Sequence, residues 1–346
     1  MSATSTILTP LWCNMFDPKL SRIGFACKIV DDNGVNLKGL NTTSTTITWL
    51  NNQTRDKAVD RLWELMKTNV GILQRQMLWI ALLPPNQRMF RMGSEILTAY
   101  THKDWCWFYK QPDVINYLES NLIKVGELAS KHDIRLSFHP GQFCVLASEN
   151  PGVVENSIEE FEYHADLARW MGFARSFQDF KCNVHIGGRL GPDGILKILH
   201  RLTPEARNIL AIENDEFKWG IESSIELGRH VALTLDIHHH WIRTGTYFEP
   251  RDYDIVQESW RGVRPVIHYS CSREDVLVDH CTTTLPNYDE LMSSGFTKTK
   301  LRAHSDYYWN RPLNDYARTF MPMADIMLES KMKNLSQRKF CEEIYT

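Results

Sequence analysis

No two of the eight cysteines form a CxxC pair, no run of about 18 apolar residues occurs, and lysine plus arginine (39) fall short of aspartate plus glutamate (42). Each absence excludes something. The scattered thiols, Cys13, Cys27, Cys106, Cys144, Cys182, Cys271, Cys281 and Cys341, read as reduced and mostly buried rather than as a disulfide framework. Without a long apolar run there is no transmembrane helix, and the opening MSATSTILTPLW lacks the charged start and apolar core of a secretory signal. The expectation is a soluble intracellular protein, cytoplasmic or nuclear depending on its source. A net charge of -3 argues against a passive nucleic-acid binder held by a chain-wide basic field. It leaves room for an enzyme that meets phosphates through bound metal ions and a few local Lys and Arg side chains.

What is present is a chain of 346 residues, 43% hydrophobic, long enough for one large α/β domain or two ordinary ones and rich enough to bury a substantial core. Histidine is the informative count, at thirteen. The densest stretch is residues 233–241, LTLDIHHHW, a short β-branched and apolar run that ends in Asp236 and passes at once into His238, His239 and His240.

The same grammar recurs along the chain. Strands are expected at residues 22–30, 89–93, 134–138, 182–186, 209–212, 233–236, 265–270 and 324–329. Between the first two, residues 31–52 are polar and read as a long loop, a candidate rim for a site, followed from Arg55 by a helix with Leu62, Leu65, Met66, Val70, Leu73 and Met77 on one face. A second helix covers residues 112–132, with Pro112 at its start and Val114, Leu118, Leu122, Val125 and Leu128 along its stripe; a third covers 156–171. About eight alternating strand and helix units imply a single-domain (β/α)8 TIM barrel over residues 21–335, with a leader at 1–20 and a C-terminal tail at 336–346.

The residues that end the expected strands, or closely follow them, are His102, His139, His185, Glu213, Asp236 with His239, His268, His304 and Glu329. Any one histidine beside an apolar run has an ordinary structural explanation, but scattered histidines would fall at both ends of strands. Mixed imidazole and carboxylate ligands suit Zn, Mn or Fe, whereas an all-oxygen set would suit Mg or Ca. The set exceeds the needs of one ion and implies two or three sharing carboxylates at the C-terminal mouth, an arrangement that hydrolyses phosphodiesters. Not all of the consecutive histidines can converge; a turn after Ile237 would bring Asp236 and His239 inward and leave His238 and His240 in supporting roles. Gln142 and Phe143 follow Pro140-Gly141 at a loop tip. A ring that replaces lost stacking and an amide that replaces lost base hydrogen bonds suit entry into a duplex, although Phe143 packed in the core is the plain alternative.

These elements, in this order, resemble the ultraviolet damage endonucleases. The resemblance runs from Arg22-Ile23-Gly24 through Phe90-Arg91, the HPGQF stretch at 139–143, Val184-His185-Ile186-Gly187-Gly188, Ile212-Glu213-Asn214-Asp215, the D-x-HHH stretch at 236–240, His268-Tyr269-Ser270 and His304-Ser305-Asp306-Tyr307 to Asp325-Ile326-Met327-Leu328-Glu329. It implies a metal-dependent enzyme that cuts damaged double-stranded DNA on the 5′ side of cyclobutane pyrimidine dimers and (6-4) photoproducts, so starting excision repair. The implied cofactors are three divalent ions, manganese favoured and zinc or magnesium as alternatives. They would be held by His102, His139, His185, Glu213, Asp236, His239, His268, His304 and Glu329. Glu213, Asp236, His239 and Glu329 would sit at the chemistry, and Gln142, Phe143 and Phe25 would contact the lesion. The enzyme is expected to act as a monomer.

The sequence departs from the family at Val266, where a lysine is common two residues before the histidine, and at Phe25, where a tyrosine is common. Residues between Ser272 and His304 run longer than the family pattern; their Lys298, Lys300 and Arg302 suit phosphates or a solvated basic face equally. Two other readings stand beside the leading one. A xylose-isomerase-like sugar isomerase would have a small closed pocket and no protruding aromatic loop. A catalytically weak DNA-damage binder would accord with Val266 and Phe25.

Overall fold

The computed structural model describes residues 21–280 and 282–345; the expected leader, residues 1–20, lies outside the described residues. Eight strands close into a barrel in chain order: β1 Ile23–Cys27, β2 Met89–Met92, β3 Arg135–Phe138, β4 Lys181–His185, β5 Leu210–Glu213, β6 Ala232–Asp236, β7 Val266–Tyr269 and β8 Asp325–Leu328. Every neighbouring pair is parallel, β8 with β1 included. The TIM barrel expected from the alternation of elements is present, each strand lying within a few residues of its expected span.

Parallel strands are buried on both faces, so side chains of period two divide between the barrel interior and the packing under the outer helices. On β4, Lys181, Asn183 and His185 share the interior face, and on β6 so do Ala232, Thr234 and Asp236. Register sets His185 beside Glu213 and Asp236 beside His268. The barrel floor is ionic: Asp325 accepts from Arg135 Nη1 at 2.8 Å and Arg264 Nε at 2.7 Å, and Lys181 Nζ donates to the Asn208 carbonyl at 2.7 Å. Burial beside Arg135 and Arg261 lowers the Lys181 ammonium to about 6.

The helix Arg55–Ile80 starts where Thr54 Oγ1 accepts from the Lys57 amide, and it buries all six of the expected apolar side chains. The helix Pro112–Lys131 begins at its proline. Its Gly126 touches the end of the next helix so closely that a Cβ would lie 1.8 Å from the Met171 carbonyl oxygen. That next helix, Pro151–Trp170, starts earlier than expected because Asn150 Oδ1 caps it through the Gly152 amide and Pro151 occupies its first turn.

Three features differ from the sequence reading. Residues 31–52 are not all loop: Thr46 caps a short helix, Ile47–Asn51, which buries Leu50. The stretch drawn as a tail from residue 336 is the body of the helix Lys333–Ile344, whose Phe340 and Cys341 are buried and whose Gln337 Nε2 donates to the Ile23 carbonyl of β1. The long segment after Ser272 builds a small apolar cluster of its own, Leu277, Leu291 and Leu301 against Trp241 and Ile242. The six cysteines described are free thiols. Among the described residues no helix is long and apolar enough to cross a membrane.

Candidate metal centre

Because β4, β5 and β6 end at His185, Glu213 and Asp236, and His139 and Glu329 directly follow β3 and β8, the barrel delivers these side chains to one mouth. Seven of the expected ligands meet there: His139, His185, Glu213, Asp236, His239, His268 and Glu329. Glu213 is common to three overlapping triads, with His139 and His185, with His268 and Glu329, and with Asp236 and His239. Within each, the atoms able to ligate lie within 4.8 Å of one another. His139 Nε2 and His268 Nδ1 each lie 3.0 Å from Glu213 Oε2, and His268 Nδ1 is 3.3 Å from Glu329 Oε1. His239 Nδ1 is 3.5 Å from Glu213 Oε1 and 3.8 Å from Asp236 Oδ2. The His185 ring stands between those of His139 and His239, at 4.8 Å and 5.4 Å.

The D-x-HHH stretch turns one residue sooner than expected. Asp236 ends β6 and caps the helix Ile237–Thr244 by accepting from the His239 amide at 2.7 Å, which sets its carboxylate and the His239 ring on the same side. His238 points elsewhere, its Nε2 3.2 Å from the Leu301 carbonyl, and His240 packs edge-on to Phe248. Neither belongs to a triad.

Other groups fix the ligands from behind. A carbonyl can only accept, so His139 Nδ1 donates to Pro140 O (2.9 Å) and leaves Nε2 to face Glu213, whereas His239 Nδ1, the nitrogen on the carboxylate side, donates to Asn214 O (3.0 Å) and leaves Nε2 as the nitrogen able to ligate. Asn214 also clamps the Asp236 backbone, accepting from its amide and donating to its carbonyl. Asn183 lies 3.2 Å from His268 Nε2 and accepts from Thr234 Oγ1. The Arg91 guanidinium donates to Glu329 Oε1. Arg91, Asn183 and Asn214 were not singled out from the sequence as contributors to the site. The period-two pattern held the signal for Asn183, in phase with His185, and for Arg91, a charge inside the apolar strand MFRM.

The electrostatics are those of charges held out of water. Burial raises the Glu213 carboxyl, but His268, His185 and the His139 hydrogen bond outweigh it and hold the group well below the usual range. Burial, reinforced by Glu213 and Glu329, pushes Asp236 up. His239 and His268 are depressed by burial but raised on balance by their carboxylate neighbours, while burial takes His185 down to about 4. Glu213 Oε1 and Asp236 Oδ2 are buried without a hydrogen-bond partner. Orphaned polar atoms are costly in a protein interior, and converging oxygen and nitrogen donors of this kind fit a cation.

Two expected ligands stay outside these triads. His102 lies on the rim of a cleft of about 850 Å³, its Nδ1 accepting from the Asp104 amide. No strand delivers it, since residues 93–104 form successive turns. His304 closes the long segment after Ser272, its ring 6.3 Å from that of His238. Phe25 also differs from expectation: it is fully buried, facing outward from β1 against Phe90 and Trp79, and presents no surface to a ligand. Gln142 is exposed and Phe143 is 84% exposed, so the core-packed alternative for Phe143 does not hold. Their loop is tied to the cluster through His139, and the cleft beside it is lined by Gly141, Phe143 and Ser44 to Ile47 of the expected rim. An open cleft with a protruding ring is unlike the closed pocket that a sugar isomerase reading required.

The model of the family described as UV-endonuclease UvdE matches residues 21–345. A UV-damage endonuclease of Schizosaccharomyces pombe is 29% identical over 267 residues, covering 72% of this chain and 39% of that protein. A UV DNA damage endonuclease of Bacillus thuringiensis is 25% identical over 313 residues, 87% of this chain and 88% of its own length. Among solved structures, SacUVDE superposes with a TM-score of 0.71 at 21% identity, covering 94% of this chain and 98% of that one. Endonuclease IV from Thermus thermophilus gives a TM-score of 0.51 at 13% identity, covering 94% and 99%. The two structural likenesses bear on the fold; the family match, spanning nearly all of the described chain, shows that this protein belongs to the UV-endonuclease UvdE family, a family of endonucleases.

Proposed function

We propose that the chain is a metal-dependent repair endonuclease that hydrolyses the phosphodiester on the 5′ side of ultraviolet photoproducts, cyclobutane pyrimidine dimers and (6-4) photoproducts, in double-stranded DNA. The observation that carries the reading is Glu213, whose carboxylate belongs to three ligand triads at once and whose Oε1 is buried without a hydrogen-bond partner. Divalent ions, as many as three, would be held there by Glu213 together with His139, His185, Asp236, His239, His268 and Glu329. The imidazole and carboxylate mixture favours manganese, with zinc or magnesium as alternatives. Divalent ions bound there would supply a nucleophile at neutral pH and neutralise charge developing on the phosphate.

The chain's own groups do the rest. Donation to Pro140 and Asn214 carbonyls fixes the His139 and His239 rings; Asn214 holds Asp236 at the strand end; Arg91 holds Glu329. Gln142 and Phe143 continue directly from His139, so a duplex entered by this loop is set against the cluster, the ring taking the place of lost stacking and the amide taking the place of lost pairing. Such an enzyme acts as a monomer, since every proposed ligand comes from one barrel mouth.

A duplex oligonucleotide with one cyclobutane dimer, labelled at its 5′ end and incubated with the chain and Mn²⁺, tests this reading. A single product ending immediately 5′ of the dimer is expected. A cut on the 3′ side, or equal cutting of an undamaged duplex, would overturn it.

A further inference from the structure

A further exposed aromatic stands on the same mouth. Phe217 follows Glu213 by a short loop and is 52% exposed. Single exposed apolar side chains are ordinary on protein surfaces; the surroundings of this one are not. Asp215 Oδ1 accepts from the amides of Phe217 at 2.7 Å, Lys218 at 2.5 Å and Trp219 at 3.1 Å, and the Asp215 amide donates to the Trp219 carbonyl. Trp219 Nε1 in turn donates to the Gly188 carbonyl of the preceding strand's loop at 2.8 Å. The loop is therefore pinned from within and from its neighbour, and the ring is held outward rather than left to fold back.

The second part is Arg302, from the long segment after Ser272 and just before His304. Its guanidinium lies 5.2 Å from the Phe217 ring centre, and Nη1 donates to Glu216 Oε1 at 2.7 Å. The Glu216 side chain is only 14% exposed while that of Arg302 is 45% exposed. An anchored carboxylate thus orients the guanidinium over the ring and leaves its remaining donors facing solvent. Two distant loops converge on this pairing of a flat apolar face with a fixed cation. In barrel order, β5 with Phe217 stands two strands round from β3 with the Gln142–Phe143 loop.

We infer that Phe217 and Arg302 form a second DNA-contacting element of the rim, distinct from the Gln142–Phe143 loop, in which the ring packs on a sugar or base of the duplex flank and the guanidinium takes a backbone phosphate. The inference rests on the DNA reading above. It assigns the element to holding the duplex in register, not to distinguishing the lesion: a ring fixed beside a cation offers stacking and charge, which every sequence can use. It also gives the long segment after Ser272 a task, since that segment supplies the cation.

The test is steady-state incision of ultraviolet-irradiated duplex by the full chain with Mn²⁺, for Phe217→Ala, Phe217→Tyr, Arg302→Gln and Arg302→Lys. Phe217→Ala is expected to raise KM roughly 5- to 100-fold with kcat within about twofold, and Phe217→Tyr to restore KM. Arg302→Gln is expected to flatten the salt dependence of log(kcat/KM) by about 0.9, with Arg302→Lys recovering the slope. Preference for irradiated over undamaged DNA stays native in all four. Unchanged KM for Phe217→Ala and an unchanged salt slope for Arg302→Gln, in variants whose parent incises irradiated duplex, would overturn the inference and leave the function standing. A parent chain that incises no duplex would overturn both.

Discussion

Replacing Glu213 by glutamine keeps the shape of the side chain and removes the charge that the three triads share. Glu213 is fully buried, and the other donors of each triad approach it within 4.8 Å. A unit charge about 4 Å from a cation, at an effective dielectric near 20, contributes about 4 kcal/mol per charge, roughly a thousandfold in affinity. Protonated His268 and His239 lose the same partner, which destabilises the metal-free protein and offsets a part of that loss. Isothermal titration with Mn²⁺ is therefore expected to show several equivalents bound to the native chain and a collapse of both affinity and stoichiometry in Glu213→Gln, with the circular dichroism spectrum unchanged. Native stoichiometry with affinity within about threefold, a difference of well under 1 kcal/mol, would refute the idea that one carboxylate links the ions.

Three other outcomes follow from the same geometry. Asp325→Asn removes the buried charge that Arg135 and Arg264 both contact at the barrel floor, and should cost about 3–5 kcal/mol in chemical denaturation; a loss below about 1 kcal/mol would show the floor to be well solvated. His239, pushed down by burial but up to about 9 by Asp236 and Glu213, holds a proton in the metal-free chain that an incoming cation must displace. Apparent Mn²⁺ affinity should thus rise with pH from about 6.5 towards 9, with proton release seen calorimetrically in buffers of different ionisation enthalpy; a flat profile would contradict the assignment. The double variant Gln142→Ala, Phe143→Ala should bind Mn²⁺ as the native chain does yet cut irradiated and undamaged DNA alike, and retained preference would remove this loop from lesion recognition.

The barrel and most of its mouth were legible because both follow from strong periodic signals. Eight short apolar runs separated by helical stripes leave few alternatives to a parallel barrel, and ligands placed at strand ends converge once the barrel closes. The misplacements have physical causes. Strand β1 is buried on both faces, so IGFAC carries no alternation to say whether Phe25 faces inward or outward. His102 follows no strand, and turn geometry around it is set by contacts distant in sequence. The last helix was read as a tail because it buries Ser336 and Gln337 alongside Leu335 and Phe340, which blurs its apolar stripe. Arg91 and Asn183 carry no metal-ligand signature in the sequence, because they contact the ligating side chains rather than being of ligand type themselves.

Metal-dependent, damage-specific incision is tested most directly by the nicking of supercoiled plasmid, irradiated or not, by the purified chain with Mn²⁺ and with a chelator. Conversion to the open circle is expected only for irradiated plasmid and only with the metal, and none for His239→Ala. Equal nicking of both plasmids, or nicking that survives the chelator, would contradict it.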